Sequence, residues 1–366
     1  YPLIDGVVNG CPSHLLEPSR SNLIPYSEDF SNASWSKSNS TITPNSTISP
    51  SGVLNASKYT ATNAANYLQE ITSASNGSYV FSIFAKKIDL DIIKINLSDG
   101  VTGEVRAYFN LSNETIEVTK SGGTITNWDA NFEKYGNGWY KININAQTNS
   151  GSNITTYLES ESLLGSFYIY GAQLEAGSYP TSYIPNYGTS AGITRSAETA
   201  NGAGDASTFN DSEGVLFAEI SALADDLNIE GISVSDSSSS NRVVIFKWNV
   251  SNTIKVRVGS SGTNYVNENL TLSDITDVIK IAVKYKQNDF SIFINGFELF
   301  SENTGLTPIG LDSLQFNSDG LGGAPFYGNT KQIQYFDSAL NDSDLETLTS
   351  WTSFTDLANG QTYSIK

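Results

Sequence analysis

The spacing of apolar residues limits this chain's fold more than any other feature. In Gly77–Lys86, GSYVFSIFAK, the side chains Tyr79, Phe81 and Ile83 recur with a period of two, so they fall on one side of a pleated strand. The same period marks Ile92–Leu97, Val105–Leu111, Ile116–Lys120 and Tyr140–Ala146. In Ser166–Pro185 it places Phe167, Ile169 and Gly171 opposite Tyr168, Tyr170 and Ala172, until Gly177 and Pro180 stop the strand. Such runs recur about every 8–15 residues with no helical period between them. That pattern predicts an antiparallel sandwich, a jelly roll.

A second set of strands follows. Gly214–Leu223, Arg242–Trp248, Ile254–Val258 and Val278–Tyr285 read as strands, and Phe290–Phe300, FSIFINGFELF, is the clearest hairpin. Its Asn295-Gly296 pair suits a type I′ turn, in which both central residues need positive φ. One short helix is expected, capped by Asn341 or Ser343 and running to Trp351. At 366 residues the chain is too long for one ordinary core. The expectation is an all-β protein with two antiparallel β-sandwich (jelly-roll) domains in tandem. An extended N-terminal arm at 1–22 is laid over the first domain, 23–185. The Gly-, Ala-, Ser- and Thr-rich run 186–208 is a linker, or a strand pairing across the boundary, before the second domain at 209–366.

Composition excludes several functions. A net charge of −18 argues against nucleic acid and anionic membranes, whose phosphates are bound by clustered Lys and Arg. No apolar run reaches the roughly 18–20 residues that span a bilayer. Cys11 is the single cysteine, so no intrachain disulfide forms, and His14, in the proline-flanked arm, is the single histidine, which leaves little material for a Ser-His-Asp triad or a multi-histidine metal site. Glu213 and Glu219 are the nearest approach to a glycosidase pair, and surface solubility explains them better. A non-enzymatic protein is expected. Methionine is absent even at position 1, so the chain is expected to begin within a longer polypeptide or after processing.

Sugar binding needs aromatic faces beside amides and carboxylates. The Asn- and Gly-rich stretch Asn127–Gly138, read as a loop, offers Trp128 and Tyr135 with Asn127, Asp129, Asn131 and Asn137 for hydroxyls. Trp128 is expected to be exposed, whereas Trp35 and Trp139 are assigned to core; Trp248 fits core or platform. In the second domain Tyr265 and Tyr327 lie in polar stretches and are expected to act near Asn317 and Asp319. Asn317, Asp319 and Asp337 are oxygen ligands of the kind Ca²⁺ uses, against the reading of Asn317–Gly323 as a plain glycine-rich turn.

The sequence also carries two separate resemblances. CPSHLLEPSRSNLIPYSEDFSNASW, YGNGWYKI and FYIYGAQLEAGSYPTSYIP, between Cys11 and Pro185, resemble a module common in bacteriophage tail-fibre and virion adhesion proteins. That module is similar to the jelly-roll carbohydrate-binding modules of glycan-degrading enzymes, some of which carry paired acids in the last strand for a structural calcium; here that place reads Tyr170-Gly171-Ala172. From Phe209 to Trp351, FSIFINGFELF and FYGNTKQIQYFDSALNDSDLETL resemble the concanavalin A-like, laminin-G or pentraxin-like sandwich. The resemblances imply a virion or extracellular adhesion protein that binds host-surface polysaccharide, contacts other virion proteins and assembles as a homo-oligomer such as a trimer. The alternatives are a carbohydrate-binding region of a secreted bacterial glycan-degrading protein and a structural virion spacer.

Overall fold

A computed structural model describes residues 3–4, 7–8, 13–149, 151–161, 164–318 and 322–351. Among the described residues the regular structure is nearly all strand, as the period of two predicts, and the chain divides into two compact units. Among described residues the first unit is 3–4, 7–8 and 19–196, and the second is 13–18 and 197–351.

Strands β1 (Leu3–Ile4) and β2 (Val7–Val8) pair with each other. β3 (His14–Leu16) belongs to the second unit and β4 (Arg20–Asn22) to the first. The first unit continues with β5 (Ser36–Ser38), β6 (Ser40–Ile48), β7 (Leu54–Ala61), β8 (Tyr67–Ser73), β9 (Gly77–Lys87) and β10 (Ile92–Ser98). It closes with β11 (Glu104–Asn110), β12 (Thr115–Ser121), β13 (Ile125–Tyr135), β14 (Trp139–Thr148), β15 (Asn153–Glu159), β16 (Gly165–Ala176) and β17 (Ile193–Arg195). Two six-stranded antiparallel sheets result, ordered β12-β11-β10-β15-β8-β5 and β13-β14-β9-β16-β7-β6. Between them lies the core, with Tyr79, Phe81 and Ile83 inward as their spacing requires, together with Trp35, Phe109 and Phe167.

β16 is a central strand, and its alternation breaks where the sequence reading kept it regular. The register slips between Tyr170 and Gln173, with Gly171 at φ 63°. A bulge adds one residue and flips everything beyond it, so Ala172 and Leu174 are the core residues instead of Gly171. A side chain at Gly171 would meet the Phe84 and Tyr183 rings at 3.2 Å besides straining its backbone. Asn22 secures the bulge. Its fully buried amide donates to the Ala172 and Ile184 carbonyls at 3.1 and 2.8 Å and accepts from the Ile24 and Leu174 N–H groups at 3.0 and 3.2 Å. The early phrase RSNL and the late phrase FYIYGAQLEAGSYPTSYIP are therefore two halves of one hydrogen-bonded joint.

The segment after Gly177 is not a free hinge. Thr181 donates from its N–H to Glu175 Oε2 at 3.0 Å, the Ile184 N–H donates to Gln173 Oε1 at 2.6 Å, and Lys141 Nζ donates to the Thr181 carbonyl at 2.5 Å. These polar groups of the sheet's outer face are buried beneath the segment, and Tyr183 packs edge-on to Phe84. Farther on, β17 pairs with β4 inside what the composition suggested was linker.

In the second unit come β18 (Asn201–Ala203), β19 (Glu213–Ala222), β20 (Glu230–Ser235), β21 (Arg242–Lys247), β22 (Thr253–Ser260) and β23 (Thr263–Thr271). After these run β24 (Ile279–Lys286), β25 (Asp289–Ile294), β26 (Phe297–Glu302), β27 (Ser313–Gln315), β28 (Gly328–Phe336) and α1 (Asp342–Thr349). Its two sheets are ordered β18-β27-β20-β21-β22-β23 and β26-β25-β24-β19-β28-β3. Asn295 (φ 51°) and Gly296 (φ 87°) form the expected type I′ turn between Ile294 and Phe297. Asn341 caps α1 by accepting from the Asp344 N–H, and Leu345 packs on Val215, Phe217 and Phe293 outside the second sheet. The arm is where the sequence reading fails. β3 is an edge strand of the second unit, paired with β28 through His14↔Thr330 and Leu16↔Gly328, and Leu16 is 1% exposed in that unit's core. Two prolines hid a three-residue strand too short to show a period.

Candidate functional site

Ten residues of the first unit line a groove of about 650 Å³ on the outer face of its second sheet. Its floor is set by strand alternation. Because Ile142 and Ile144 face the core, Trp139 on the same strand faces out, and across β9 the core residues Ile83 and Ala85 leave Phe84 and Lys86 outward. Trp139 is 2% exposed, packed with Phe84, Ala56 and Tyr170, and its indole Nε1 donates to the Ile48 carbonyl at 3.1 Å. That bond joins the floor to the wall Thr47–Pro50. The opposite wall is Tyr135–Asn137. Asn137 takes φ 62° and Gly138 φ 77°, the tight turn that YGNG predicts. Tyr135 is half-buried, edge-on to Phe84 at 4.9 Å, and the Asn137 side chain is exposed.

A second cluster braces this surface. The hydroxyls of Tyr170, Tyr183 and Tyr187 donate to Glu28 Oε1 at 3.1, 3.2 and 3.2 Å, and Asn55 Nδ2 donates to Oε2 at 3.1 Å. Burial pushes the Tyr183 and Tyr170 hydroxyls above the usual tyrosine range, so both remain protonated donors.

Over the buried Trp139 the groove offers aromatic and aliphatic surface at Tyr135 and Ile48, one amide (Asn137) and one ammonium (Lys86), which makes no ion pair among the described residues. No Asp, Glu, His or Cys lines it, so it holds neither a carboxylate pair nor a thiol nucleophile. Lys86 and the Ile48–Pro50 wall escaped the sequence reading. The one available signal was Ile48, a large apolar residue beside the turn SPSG, and it is 58% exposed.

The other sequence candidates are scattered. Trp128 is 41% exposed, as broken alternation predicts, at a bulge where Asn127 takes φ 47°. However, Asn127–Tyr135 is no loop. It pairs with β14 from Asp129↔Asn145 to Tyr135↔Trp139, and seven residues of extended chain hold Trp128 roughly 23 Å from Tyr135. In the second unit Tyr265 lies at a bulge of β23, half-buried against Gly305. Tyr327 packs partly into the core and gives its backbone N–H to Glu230. β23 is separated from Asn317, just past β27, by three intervening strands, about 19 Å at the usual strand spacing. The two tyrosines thus form no common site.

Nor do the calcium candidates converge. Asn317 is 1% exposed and its Nδ2 donates to Gln315 Oε1 and Asn201 Oδ1 at 3.0 and 3.2 Å. Asp337 lies beyond the far end of β28, a nine-residue strand about 30 Å long, and Asp319 falls outside the described residues. Among the described residues no group of three or more His, Cys, Asp or Glu is placed to hold a metal. Glu213 and Glu219 sit about 20 Å apart on β19, each paired with a lysine, Lys286 and Lys331 respectively. Such a distance is too long for a glycosidase pair. His14 is exposed on β3.

No protein-family model matches the chain, and no curated protein does. Solved structures with similarity include the CBM40 of Ruminococcus gnavus IT-sialidase bound to α2,3-sialyllactose (14% identity, TM-score 0.35, 42% of this chain and 97% of that one). The leech intramolecular trans-sialidase complexed with 2,7-anhydro-Neu5Ac is 18% identical, with a TM-score of 0.35 over 42% of this chain and 27% of that one. Domains LG4-5 of the mouse laminin α1 chain are 7% identical, with a TM-score of 0.28 over 91% and 94%.

Proposed function

We propose that this chain is a non-enzymatic adhesion protein that binds host-surface polysaccharide through the first unit's groove, as part of a virion fibre or spike. The observation that carries the reading is the groove itself: the half-buried Tyr135 ring beside a buried Trp139 fixed by a hydrogen bond, an exposed amide, an ammonium and no carboxylate pair. Pyranose rings are recognised by that combination, the apolar ring face lying on aromatic surface and the hydroxyls meeting a few placed polar groups. The virion setting is supported by the resemblance of the interlocked phrases around Asn22 and Ala172.

A glycan array followed by calorimetry tests it. Tyr135→Ala and Asn137→Ala are expected to weaken binding about tenfold each. Trp128→Ala, roughly 23 Å away along β13, is expected to leave it unchanged. If the parent binds no host glycan, the glycan reading fails and a structural spacer takes its place. If Trp128→Ala removes binding while the groove variants keep it, the site is wrong.

A further inference from the structure

The outer face of the second unit's sheet β18-β27-β20-β21-β22-β23 carries two cations over aromatic rings. Ile254, Val256 and Val258 of β22 face the core, so Lys255 and Arg257 face out, two residues and about 7 Å apart. Lys255 Nζ lies 4.7 Å from the centre of the Trp248 ring and the Arg257 guanidinium 5.1 Å from it; Arg257 also stands 5.5 Å from the Phe246 ring. Their protein acceptors are neutral. Lys255 donates to Asn269 Oδ1 at 2.9 Å, and Arg257 Nε donates to Asn267 Oδ1 at 3.0 Å.

Elsewhere in this unit lysines meet carboxylates: Lys247 meets Asp226 and Glu230, Lys284 meets Asp289 and Asp342, Lys331 meets Glu219. In a chain with 38 acidic and 20 basic residues, that is the expected arrangement. Yet none of the outward positions on β20, β21, β22, β23 and β27 is Asp or Glu. Glu268 attracts Lys255 from the other side of β23, where its neighbours Val266 and Leu270 enter the core. Burial and repulsion from Arg257 act against that attraction and hold the Lys255 ammonium below the usual lysine range. Lys255 is 6% exposed, so a cation is held nearly out of water with no carboxylate in ion-pair contact among the described residues. The aromatic rings orient the pair and neutralise only part of its charge.

We propose that this face is a second binding site, selective for carboxylated saccharides. The inference deepens, and rests on, the glycan-binding reading. Arg257 spends Nε on Asn267, while its two terminal nitrogens form no hydrogen bond within the protein among the described residues. Those nitrogens form the planar fork that matches the two oxygens of a carboxylate, with the Lys255 charge beside it. Asn267 and Asn269 line the approach and supply amide groups for ring hydroxyls.

Calorimetric titration of the full chain with polygalacturonate, hyaluronan and polysialic acid, against neutral dextran and dextran sulfate, tests the proposal. At least one carboxylated polymer is expected to bind, more weakly as salt rises. Arg257→Gln is expected to lower its affinity more than tenfold, and Arg257→Lys to lower it by several fold because charge remains and the fork is lost. Neither substitution should lower the thermal midpoint, since each changes a half-buried surface group. Tyr135→Ala should leave this binding intact. Neutral glycan binding that depends on Tyr135, with none of the three carboxylated polymers bound, overturns this inference alone; an absence of all glycan binding overturns both. Dextran sulfate binding as tightly as the carboxylated polymers overturns the carboxylate assignment, and unchanged affinity in Arg257→Gln overturns the site.

Discussion

Glu70→Gln is expected to stabilise the first unit at alkaline pH and to leave it unchanged in acid. Glu70 lies on β8 on the same side as the core residue Leu68, is 5% exposed, and its Oε2 has no hydrogen-bond partner; nor does the nearby Ser34 Oγ. Burial, offset in part by Ser34, pushes its carboxyl from 4.5 up to about 7. Because the folded carboxyl holds its proton more tightly than the unfolded one, its favourable contribution is fully present below the unfolded pKa. That contribution is lost as pH rises from about 4.5 through about 7, and is constant beyond. The displacement of 2.5 (7 − 4.5), at about 1.36 kcal/mol per pH unit, amounts to roughly 3 kcal/mol at pH 8. Glutamine keeps the shape and needs no ionisation, so it recovers that amount. For a unit of this size about 3 kcal/mol raises the midpoint by roughly 6–12 °C. Scanning calorimetry of the parent and the variant at pH 4, 6 and 8 measures it, the difference between them isolating Glu70 from the other carboxylates. A constant difference across that range, or a variant no more stable at pH 8, refutes the reasoning.

Three further outcomes are expected. Asn22→Ala strands two carbonyls and two N–H groups in a dry joint and should cost about 3–5 kcal/mol, read from the denaturation midpoint of the first unit; a loss below about 1 kcal/mol would mean water replaces the amide. Gly296→Val should cost about 1–3 kcal/mol, because φ is 87° there and a Cβ would stand 2.7 Å from Ser350 Oγ; a variant as stable as the parent contradicts the type I′ turn. A 197–366 fragment lacks β3, leaving one edge of β28 unpaired and a hole where Leu16 sat, so the second unit should be less stable than in the whole chain by about 2–4 kcal/mol. Addition of a peptide spanning residues 11–18 should recover part of that loss, and no difference with or without the peptide would show that the edge strand is dispensable.

The long strands were legible because each buries one face over many residues, so its pattern repeats enough to be read locally. β9, β14 and β24 are of this kind, as is the Asn295-Gly296 turn, whose backbone demands particular residues. The short or polar strands were not. β3 has three residues, and β13 alternates weakly because it is an edge strand with a bulge at Asn127. Of the groove, Tyr135 and Asn137 could be found as an aromatic and an amide beside a glycine turn. Lys86 could not, and the Ile48–Pro50 wall only through Ile48, an apolar residue beside the turn SPSG.

By itself, then, the sequence determined the period of two, the positive φ of the YGNG and Asn295-Gly296 turns, a short helix capped by Asn341 or Ser343, and the surplus of negative charge. These depend on a residue and its near neighbours. Tertiary structure decided which strands became neighbours, and with that every site. It brought Asn22 to Ala172 across 150 residues, set the wall at Ile48 against Trp139, and left Lys255 and Arg257 on a face with no carboxylate. The physical reason is that pairing between strands is made by backbone hydrogen bonds, which every residue but proline offers alike. Partner choice is settled by how whole sheets bury their faces, and no local stretch of chain carries that information.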